Sequence, residues 1–306
     1  MSAPHLHASP DFLSRTRPSM AARLRRRLRR ALGPQRVFVT PNPHWRTASP
    51  IFIIGVHRSG TTLLRLVLDS HSRIAVPRES VFLLPLSDML RTESALQGLS
   101  ALGFETEHVA VKLREFSDYF FNAYAAARGK PRWADKSPHY VECLDFVEKL
   151  YGPRCQYLFI YRHGLDVAHS IGPRQIKLAK PYQEACGDAY RGAARYWAVQ
   201  CRKMLDFEQR HRDRIFTLRY EELAQSPEPV ARQIFEFLGE PWEPQVLEYY
   251  KQEHDVGGLE DAIASGSRGF QPSMHNYLKL PAELVQGMKR EAGEMLEKLG
   301  YQCSIS

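Results

Sequence analysis

The sequence lacks the features of membrane-spanning, zinc-binding and disulfide-rich proteins. None of its apolar runs approaches the ~20 residues that a membrane-spanning helix requires. Its five cysteines are an odd number and form no C-x-x-C pair (Cys143, Cys155, Cys186, Cys201 and Cys303). This pattern predicts reduced thiols in a cytosol-like compartment and argues against a zinc site or a disulfide framework.

Excess positive charge is missing from most of the chain. The net charge is +8, and residues 1–36 contain nine arginines, no lysine and a single acid, Asp11. That segment therefore carries the whole excess, and the remainder is formally neutral. We expect residues 1–48 to form a basic tail and linker, disordered or partly helical, ahead of a single domain of residues 49–306.

Residues 20–32, MAARLRRRLRRAL, leave three interpretations open. Leu24, Leu28 and Leu32 have helical spacing, but the segment has no apolar core of the kind that a secretory signal contains. An arginine-rich, acid-poor start is compatible with an organelle transit peptide, with binding to an anionic membrane surface, or with a solvated tail. We expect a cytoplasmic protein, with peripheral membrane attachment left open.

The stretch from Pro50 to Leu68, PIFIIGVHRSGTTLLRLVL, is the most informative part of the chain. Ile51 to Val56 is a β-branched apolar run, which predicts a buried parallel strand. A glycine-bounded loop, Gly55 to Gly60, and the pair Thr61–Thr62 follow, and a helical apolar pattern then begins. The N–H groups of such a loop and of a helix N-terminus bind phosphate or a similar tetrahedral anion.

The match to a nucleotide-binding P-loop is partial. Gly55 and Gly60 have the G-x-x-x-x-G spacing, but Thr61 and Thr62 stand where that motif requires Lys and then Ser or Thr. The phosphate-neutralising lysine is therefore missing, and a cation lies inside the loop instead, at Arg58. A bare G-x-x-x-x-G also fits an ordinary strand-to-helix turn, although a guanidinium and three hydroxyls at one spot favour an anion site.

The segment GVHRSGTTLLRLVLDSHSRIAVPRES, residues 55–80, resembles the 5′-phosphosulfate-binding loop of sulfotransferases. These enzymes use 3′-phosphoadenosine 5′-phosphosulfate (PAPS). The R-S-G-T-T-L-L run and the later Pro-x-Glu are similar to the tyrosylprotein sulfotransferases and their bacterial relatives. The resemblance extends from about Ile51 to Tyr301 and is weak towards its end. It implies transfer of a sulfuryl group to an acceptor hydroxyl, release of adenosine 3′,5′-bisphosphate (PAP), and no metal.

Further periodic patterns predict the rest of the fold. We expect strands at 74–76, 156–161 and 215–218, and helices within 81–128, 141–150, 183–211, 228–238, 244–252 and 281–298. Residues 133–138 are interpreted as a compact polar segment and 257–271 as a mobile loop. Strands that alternate with helices predict an α/β fold. It has a P-loop-type central parallel sheet with helices on both faces, in the sulfotransferase variant that the resemblance implies.

The resemblance implies two sets of PAPS-binding residues. One surrounds the sulfate and 5′-phosphate: His57, Arg58, Ser59, Gly60, Thr61 and Thr62. The other surrounds the 3′-phosphate and adenine: Arg162, Ser170, Arg174, Tyr220 and Lys279, with Ser273 left open. From the residues alone, Arg162 follows a strand and Ser170 lies about two helical turns on, where open α/β sheets bind ligands. The alternatives are a salt bridge from Arg162 to Asp166 and an interface role for Tyr220.

The resemblance assigns catalysis to Glu79, Arg58 and Lys136. An alcohol is a poor nucleophile at neutral pH, so a base should take its proton, and Glu79 matches the base of the tyrosylprotein type. Lys136 matches a lysine that supports the leaving group. Helix capping by Glu79 and an ion pair between Lys136 and Asp135 are the structural alternatives.

Two other functions compete with sulfuryl transfer. One is a P-loop kinase, against which the missing lysine and Arg58 weigh. The other is a non-catalytic nucleotide-binding protein held at a membrane through residues 20–32. The expected acceptor bears a hydroxyl group, on a peptide tyrosine, a glycan or a small molecule, and the sequence does not choose among them. No nucleic-acid partner is expected, and a homodimer is left open.

Overall fold

The computed structural model describes residues 49–174, 176–255 and 269–302. The predicted tail of residues 1–48, with its helix at 20–32, lies outside these ranges, as do Cys303 and most of the loop predicted at 257–271. None of the helices in the described ranges is both long and apolar enough to cross a membrane.

A parallel five-stranded sheet forms the centre of the described chain. From one edge to the other its strands are Ile74–Ala75 (β2), Arg132–Lys136 (β3), Ile51–Ile54 (β1), Gln156–Tyr161 (β4) and Ile215–Arg219 (β5), and every neighbouring pair is parallel. The predicted parallel α/β fold is therefore confirmed.

Helices connect the strands and flank the sheet. The α-helices of the described residues are α1 (Thr61–Asp69), α2 (Leu83–Arg91), α3 (Glu93–Ala101), α4 (Thr106–Ala127), α5 (Leu144–Tyr151), α6 (Gly164–Ile171), α7 (Lys180–Cys186), α8 (Ala189–Arg210), α9 (Tyr220–Gln225), α10 (Pro227–Leu238) and α11 (Ala282–Lys298). Short 3₁₀ helices span Pro138–Cys143, Gly152–Arg154, Arg212–Arg214, Pro244–Lys251 and Asn276–Lys279.

The core has two halves, one on each face of the sheet. Successive strand side chains point to opposite faces. Phe52 and Ile54 therefore join the cluster that includes apolar side chains of α4, α5, α6, α8 and α11. Ile51 and Ile53 join the other cluster, with α1, α9 and α10. Because both faces of β1 are covered, all four of its residues are fully buried.

Three local assignments from the sequence differ from the structure. The polar segment 133–138 overlaps β3 (Arg132–Lys136), an interior strand of the sheet whose polar residues are all buried. The single helix predicted at 183–211 is two helices, α7 and α8, because the Asp188 side chain accepts the Arg191 N–H and starts a new helix. The helix predicted at 244–252 is 3₁₀, with Pro244 as its first residue.

Because α7 and α8 are in close contact, we expect alanine substitutions at two helical glycines to have opposite effects on the free energy of unfolding. A Cβ at Gly192 of α8 would lie 2.2 Å from Gln183 Cα, a backbone atom, whereas one at Gly293 of α11 meets nothing within 4 Å. Gly192→Ala should lower the free energy of unfolding by roughly 1–3 kcal/mol through overpacking. Gly293→Ala should raise it by roughly 0.5–1 kcal/mol because alanine favours the helix. Urea denaturation measures both, and equal effects would contradict the close packing of α7 on α8.

Candidate active site

The loop between β1 and α1 closes tightly. The Ser59 N–H donates to the Val56 carbonyl (3.0 Å), and both Arg58 (φ 70°) and Gly60 (φ 91°) have left-handed backbone conformations. A Cβ on Gly60 would lie 2.4 Å from the Tyr220 ring, so this position requires glycine. The Ser59 hydroxyl is buried and has no hydrogen-bond partner within the described ranges. Beside the N-terminus of α1, such a hydroxyl suits an oxygen atom of a bound anion.

Arg162 lies directly after β4, beside this loop. Its guanidinium donates to the Arg58 carbonyl (2.7 Å) and to the Ser273 carbonyl. It also lies over the Tyr220 ring, 4.4 Å from the centroid, and the Tyr220 hydroxyl accepts the Ser273 N–H (3.0 Å). These contacts bring Arg162 and Tyr220 together with Ser273, which the sequence left open.

Ser170 on α6 links the two predicted anion sites. Its hydroxyl accepts a hydrogen bond from Arg58 Nε (2.9 Å) and lies 3.4 Å from a guanidinium nitrogen of Arg174. Arg58 was expected at the sulfate and 5′-phosphate alone, yet it reaches the serine expected at the 3′-phosphate. The guanidinium groups of Arg58 and Arg174 thus meet at Ser170, and Arg162 contacts the Arg58 backbone. Arginine groups so grouped suit phosphate monoesters.

A third segment, 273–279, is held beside Arg162 by Asp166 of α6. The two carboxylate oxygens of Asp166 accept the N–H groups of His275 (2.8 Å) and Asn276 (2.7 Å). The predicted Lys279 donates to the Asn276 side chain (2.8 Å) and is exposed. It lies on the segment that carries Ser273, but within the described ranges it makes no hydrogen bond to the arginine cluster. The sequence had considered Asp166 only as an ion-pair partner of Arg162.

Glu79 and Lys136 form a buried ion pair next to the loop helix. Lys136 ends β3, and its Nζ lies 2.8 Å from Glu79 Oε1 and 3.4 Å from the hydroxyl of Thr62 in the first turn of α1. The Lys136 side chain is 0% exposed and the Glu79 side chain is 8% exposed. Lys136 thus pairs with Glu79, in preference to its sequence neighbour Asp135. Glu79 also does not cap a helix, since α2 begins only at Leu83.

Further polar groups behind the ion pair were not identified from the sequence. Asp135 Oδ2 accepts hydrogen bonds from Ser80 (2.8 Å) and Tyr140 (2.5 Å). Its position beside Lys136 was visible, but its partner Ser80 lies 55 residues away along the chain. The His57 ring nitrogen Nδ1 lies 2.9 Å from the Tyr196 hydroxyl on α8, a contact that no sequence pattern signals.

Two histidines at the site are held neutral. Burial, together with the neighbouring His139, Lys136 and Arg58, lowers the pKa of His57 to about 3. Burial also lowers the pKa of His139, whose ring meets the His57 ring edge to face at 4.8 Å. Neutral imidazoles leave the positive charge of this region on Arg58 and Lys136. Among the described residues, no group of three or more His, Cys, Asp or Glu could hold a metal ion.

This arrangement combines a P-loop-like anion site with a buried carboxylate at the carboxyl edge of a parallel sheet. A family model described as "Sulfotransferase family" matches residues 50–244. The chain belongs to the sulfotransferase family, and the resemblance seen in the sequence is confirmed. Its central sheet and flanking helices are the sulfotransferase variant of the P-loop-like fold.

Curated relatives extend the likeness beyond the matched region. The chain is 27% identical over 266 residues to the protein-tyrosine sulfotransferase of Drosophila melanogaster, covering 82% of this chain and 51% of that protein. It is 26% identical over 269 residues to protein-tyrosine sulfotransferase A of Caenorhabditis elegans, covering 84% and 68%. The chain therefore spans about half the length of the Drosophila relative.

A solved structure supports the fold. The sulfotransferase domain of the Synechococcus PCC 7002 olefin synthase aligns with a TM-score of 0.58 and 22% identity. The alignment covers 88% of this chain and 100% of that domain. At this identity the likeness concerns the fold alone.

The depressed pKa of His57 predicts a pH-dependent stability. Unfolded His57 binds a proton below its ordinary pKa of 6.5, whereas the folded imidazole stays neutral down to about pH 3. The free energy of unfolding should therefore fall as pH falls from 6.5 towards 3. When the pH is lowered from 7.5 to 5, the free energy of unfolding of the wild type should fall by up to about 2 kcal/mol more than that of His57→Asn. Urea denaturation at both pH values tests this, and identical pH dependence would contradict it.

Proposed function

We propose that this protein transfers the sulfuryl group of PAPS to an acceptor hydroxyl by in-line displacement, with Glu79 as general base. The observation that carries the proposal is the position of the Glu79–Lys136 pair. Lys136 Nζ is within 3.4 Å of the Thr62 hydroxyl in the first turn of α1, which follows the anion loop. One ammonium group thus contacts both a carboxylate and the first turn of α1, which suits a proton acceptor next to an anion site.

The arginine cluster suits the two charged ends of PAPS. The loop residues His57 to Thr62 and the N-terminus of α1 would bind the sulfate and 5′-phosphate. Arg162, Ser170 and Arg174 would bind the 3′-phosphate, with Tyr220 beside it. Lys279 would join them from the segment that Asp166 holds. Because Arg58 contacts Ser170, it is suited to interact with both ends of the donor.

The reaction needs little covalent help from the protein. The acceptor oxygen would attack sulfur while the bond from sulfur to the bridging phosphate oxygen breaks and PAP leaves. Glu79 would take the hydroxyl proton, and Lys136 and Arg58 would stabilise the charge that develops on the leaving oxygen. The buried position of Glu79 and Lys136 strengthens these electrostatic interactions, because the local dielectric constant is lower than that of water.

The acceptor class stays a proposal. Two of the curated relatives are named protein-tyrosine sulfotransferases, so a peptide tyrosine is the first acceptor to test, ahead of glycans and small alcohols. The family match lends no support to a kinase or a non-catalytic binder. Cytoplasmic location, membrane contact through residues 20–32, a homodimer and the absence of a metal requirement stay predictions.

Removal of the proposed base should affect the rate and leave donor binding unchanged. Glu79→Gln keeps the shape and one hydrogen-bond acceptor for Lys136 but cannot accept the proton, so kcat should fall roughly 10²–10⁴-fold. The affinity for PAP, measured by calorimetry, should change little because the donor's anions lie on the arginines. Glu228→Gln, an exposed glutamate of α10 that pairs with Arg232, is the matched control. A kcat within about threefold of the wild type would remove Glu79 from the mechanism.

The assignment of Arg162 to the 3′-phosphate is tested with two ligands. Arg162→Ala should weaken PAP binding by roughly 1.5–3 kcal/mol, the scale of a hydrogen bond to a charged group. Binding of adenosine 5′-phosphate, which lacks the 3′-phosphate, should change much less.

Arg232→Ala is the control, because it also removes a guanidinium that lies over an aromatic ring, 4.4 Å from the centroid of Trp242, but outside the site. Equal losses for both ligands in Arg162→Ala would mean that Arg162 acts only through the Arg58 carbonyl it supports.

A further inference from the structure

The segment that carries Glu79 contains a strained turn. Between β2 and α2 the chain has no regular structure, and Val81 has a φ of 57°. The Phe82 N–H donates to the Ser80 carbonyl (2.7 Å), so Val81 is the centre of a three-residue γ-turn. A left-handed conformation is rare for a β-branched residue, and γ-turns of this hand are strained. Such strain persists only where surrounding contacts hold it, and it is concentrated at functional sites.

Two consecutive residues of β3 hold two consecutive residues of this segment. Asp135 and Lys136 point to opposite faces of the sheet because strand side chains alternate. Lys136 pairs with Glu79 (2.8 Å), and Asp135 accepts the Ser80 hydroxyl (2.8 Å). The segment therefore crosses the carboxyl end of β3 and is fixed on both sides of it.

The Asp135 side of this attachment is a closed group of three polar side chains. The Tyr140 hydroxyl donates to Asp135 Oδ2 (2.5 Å) and lies 2.7 Å from the Ser80 hydroxyl. Asp135 and Tyr140 are both fully buried. Burial raises the pKa of Asp135 to about 6, which reflects the cost of a carboxylate in this environment. Removal of one hydroxyl from this group would leave Asp135 Oδ2 with one hydrogen bond fewer, which is costly for a buried carboxylate.

We infer that Asp135, acting through Ser80 and Tyr140, is a positioning residue that holds the strained segment and so fixes Glu79 on Lys136. The inference rests on the proposed function, in that the position of Glu79 matters only if Glu79 takes part in turnover. We call the hydrogen-bonded group of Asp135, Ser80 and Tyr140 the anchor. Its effect on the segment can be measured separately from turnover. Asp135 would touch neither donor nor acceptor, because it lies on the face of the sheet opposite Lys136.

Ser80→Ala removes the anchor and little else. In the full chain, trypsin should cut the Arg78–Glu79 bond several times faster than in the wild type, since Arg78 is exposed and the segment is released. Mass spectrometry follows the peptide that begins at Glu79. Tyr140→Phe, which removes a single hydroxyl from the same group, should have the same direction of effect. Ser117→Ala is the control, because it removes a buried hydroxyl that donates to a carbonyl within α4, away from this segment.

Turnover provides the second readout. Ser80→Ala should lower kcat roughly ten- to hundredfold, the scale expected when a reacting group is displaced, while PAP affinity stays unchanged. In a Glu79→Gln background the same change should cost nothing further, because Ser80 acts through Glu79. An equal additional loss in that background would overturn the inference.

The two readouts separate the possible failures. Wild-type proteolysis and turnover in both Ser80→Ala and Tyr140→Phe would overturn the anchor. Faster cleavage in these variants, combined with a Glu79→Gln enzyme of normal rate, would support the anchor and overturn Glu79 as the base. Melting temperatures identify any variant that unfolds globally, and a variant that keeps the wild-type melting temperature decides the question.

Discussion

The parallel pairing of β1 with β3 on one side and β4 on the other is the constraint on which the site depends. Parallel strands end at the same edge of the sheet, so whatever follows each strand meets there. The Gly55–Gly60 loop follows β1, Lys136 ends β3, and Arg162 follows β4. The β1 residues are fully buried between two core layers, so a shift of register would require both layers to repack. The core therefore holds the Gly55–Gly60 loop close to the Glu79–Lys136 ion pair.

The sequence predicted those parts of the fold and site that local patterns encode. Ile51–Val56 and Gln156–Tyr161 are apolar enough to identify as strands, and Arg58 to Thr62 lie within one continuous motif. The sequence did not predict β3 as a strand, because its residues, RWADK, contain no apolar run. Its charged residues are buried only because distant segments satisfy them: Glu240 and the Leu238 carbonyl pair with Arg132, and Glu79 pairs with Lys136. A single sequence does not reveal such partners, since no periodicity connects them.

The same limit explains why the site is more connected than the motifs suggested. Arg58 and Ser170 are 112 residues apart and were expected at opposite ends of the donor, yet they share a hydrogen bond. Arg162 likewise supports the loop through the Arg58 carbonyl, and it reaches Ser273 on a segment 111 residues further along. The groups that would recognise the 3′-phosphate thus help to shape the 5′ loop. The two parts of the candidate site therefore share direct contacts.

These arrangements place ionisable side chains away from water, at the proposed site and directly behind it. Lys136 and Asp135 are fully buried, the pKa of Asp135 is raised, and His57 is kept from protonation. Taking a charged group out of water costs free energy, and a hydrophobic replacement of similar size often stabilises a fold. Their shared position around one end of β3, next to a strained turn at Val81, is not what stability alone would favour. It is the pattern expected where a fold gives up stability to hold a base, a cation and an anion site in fixed geometry.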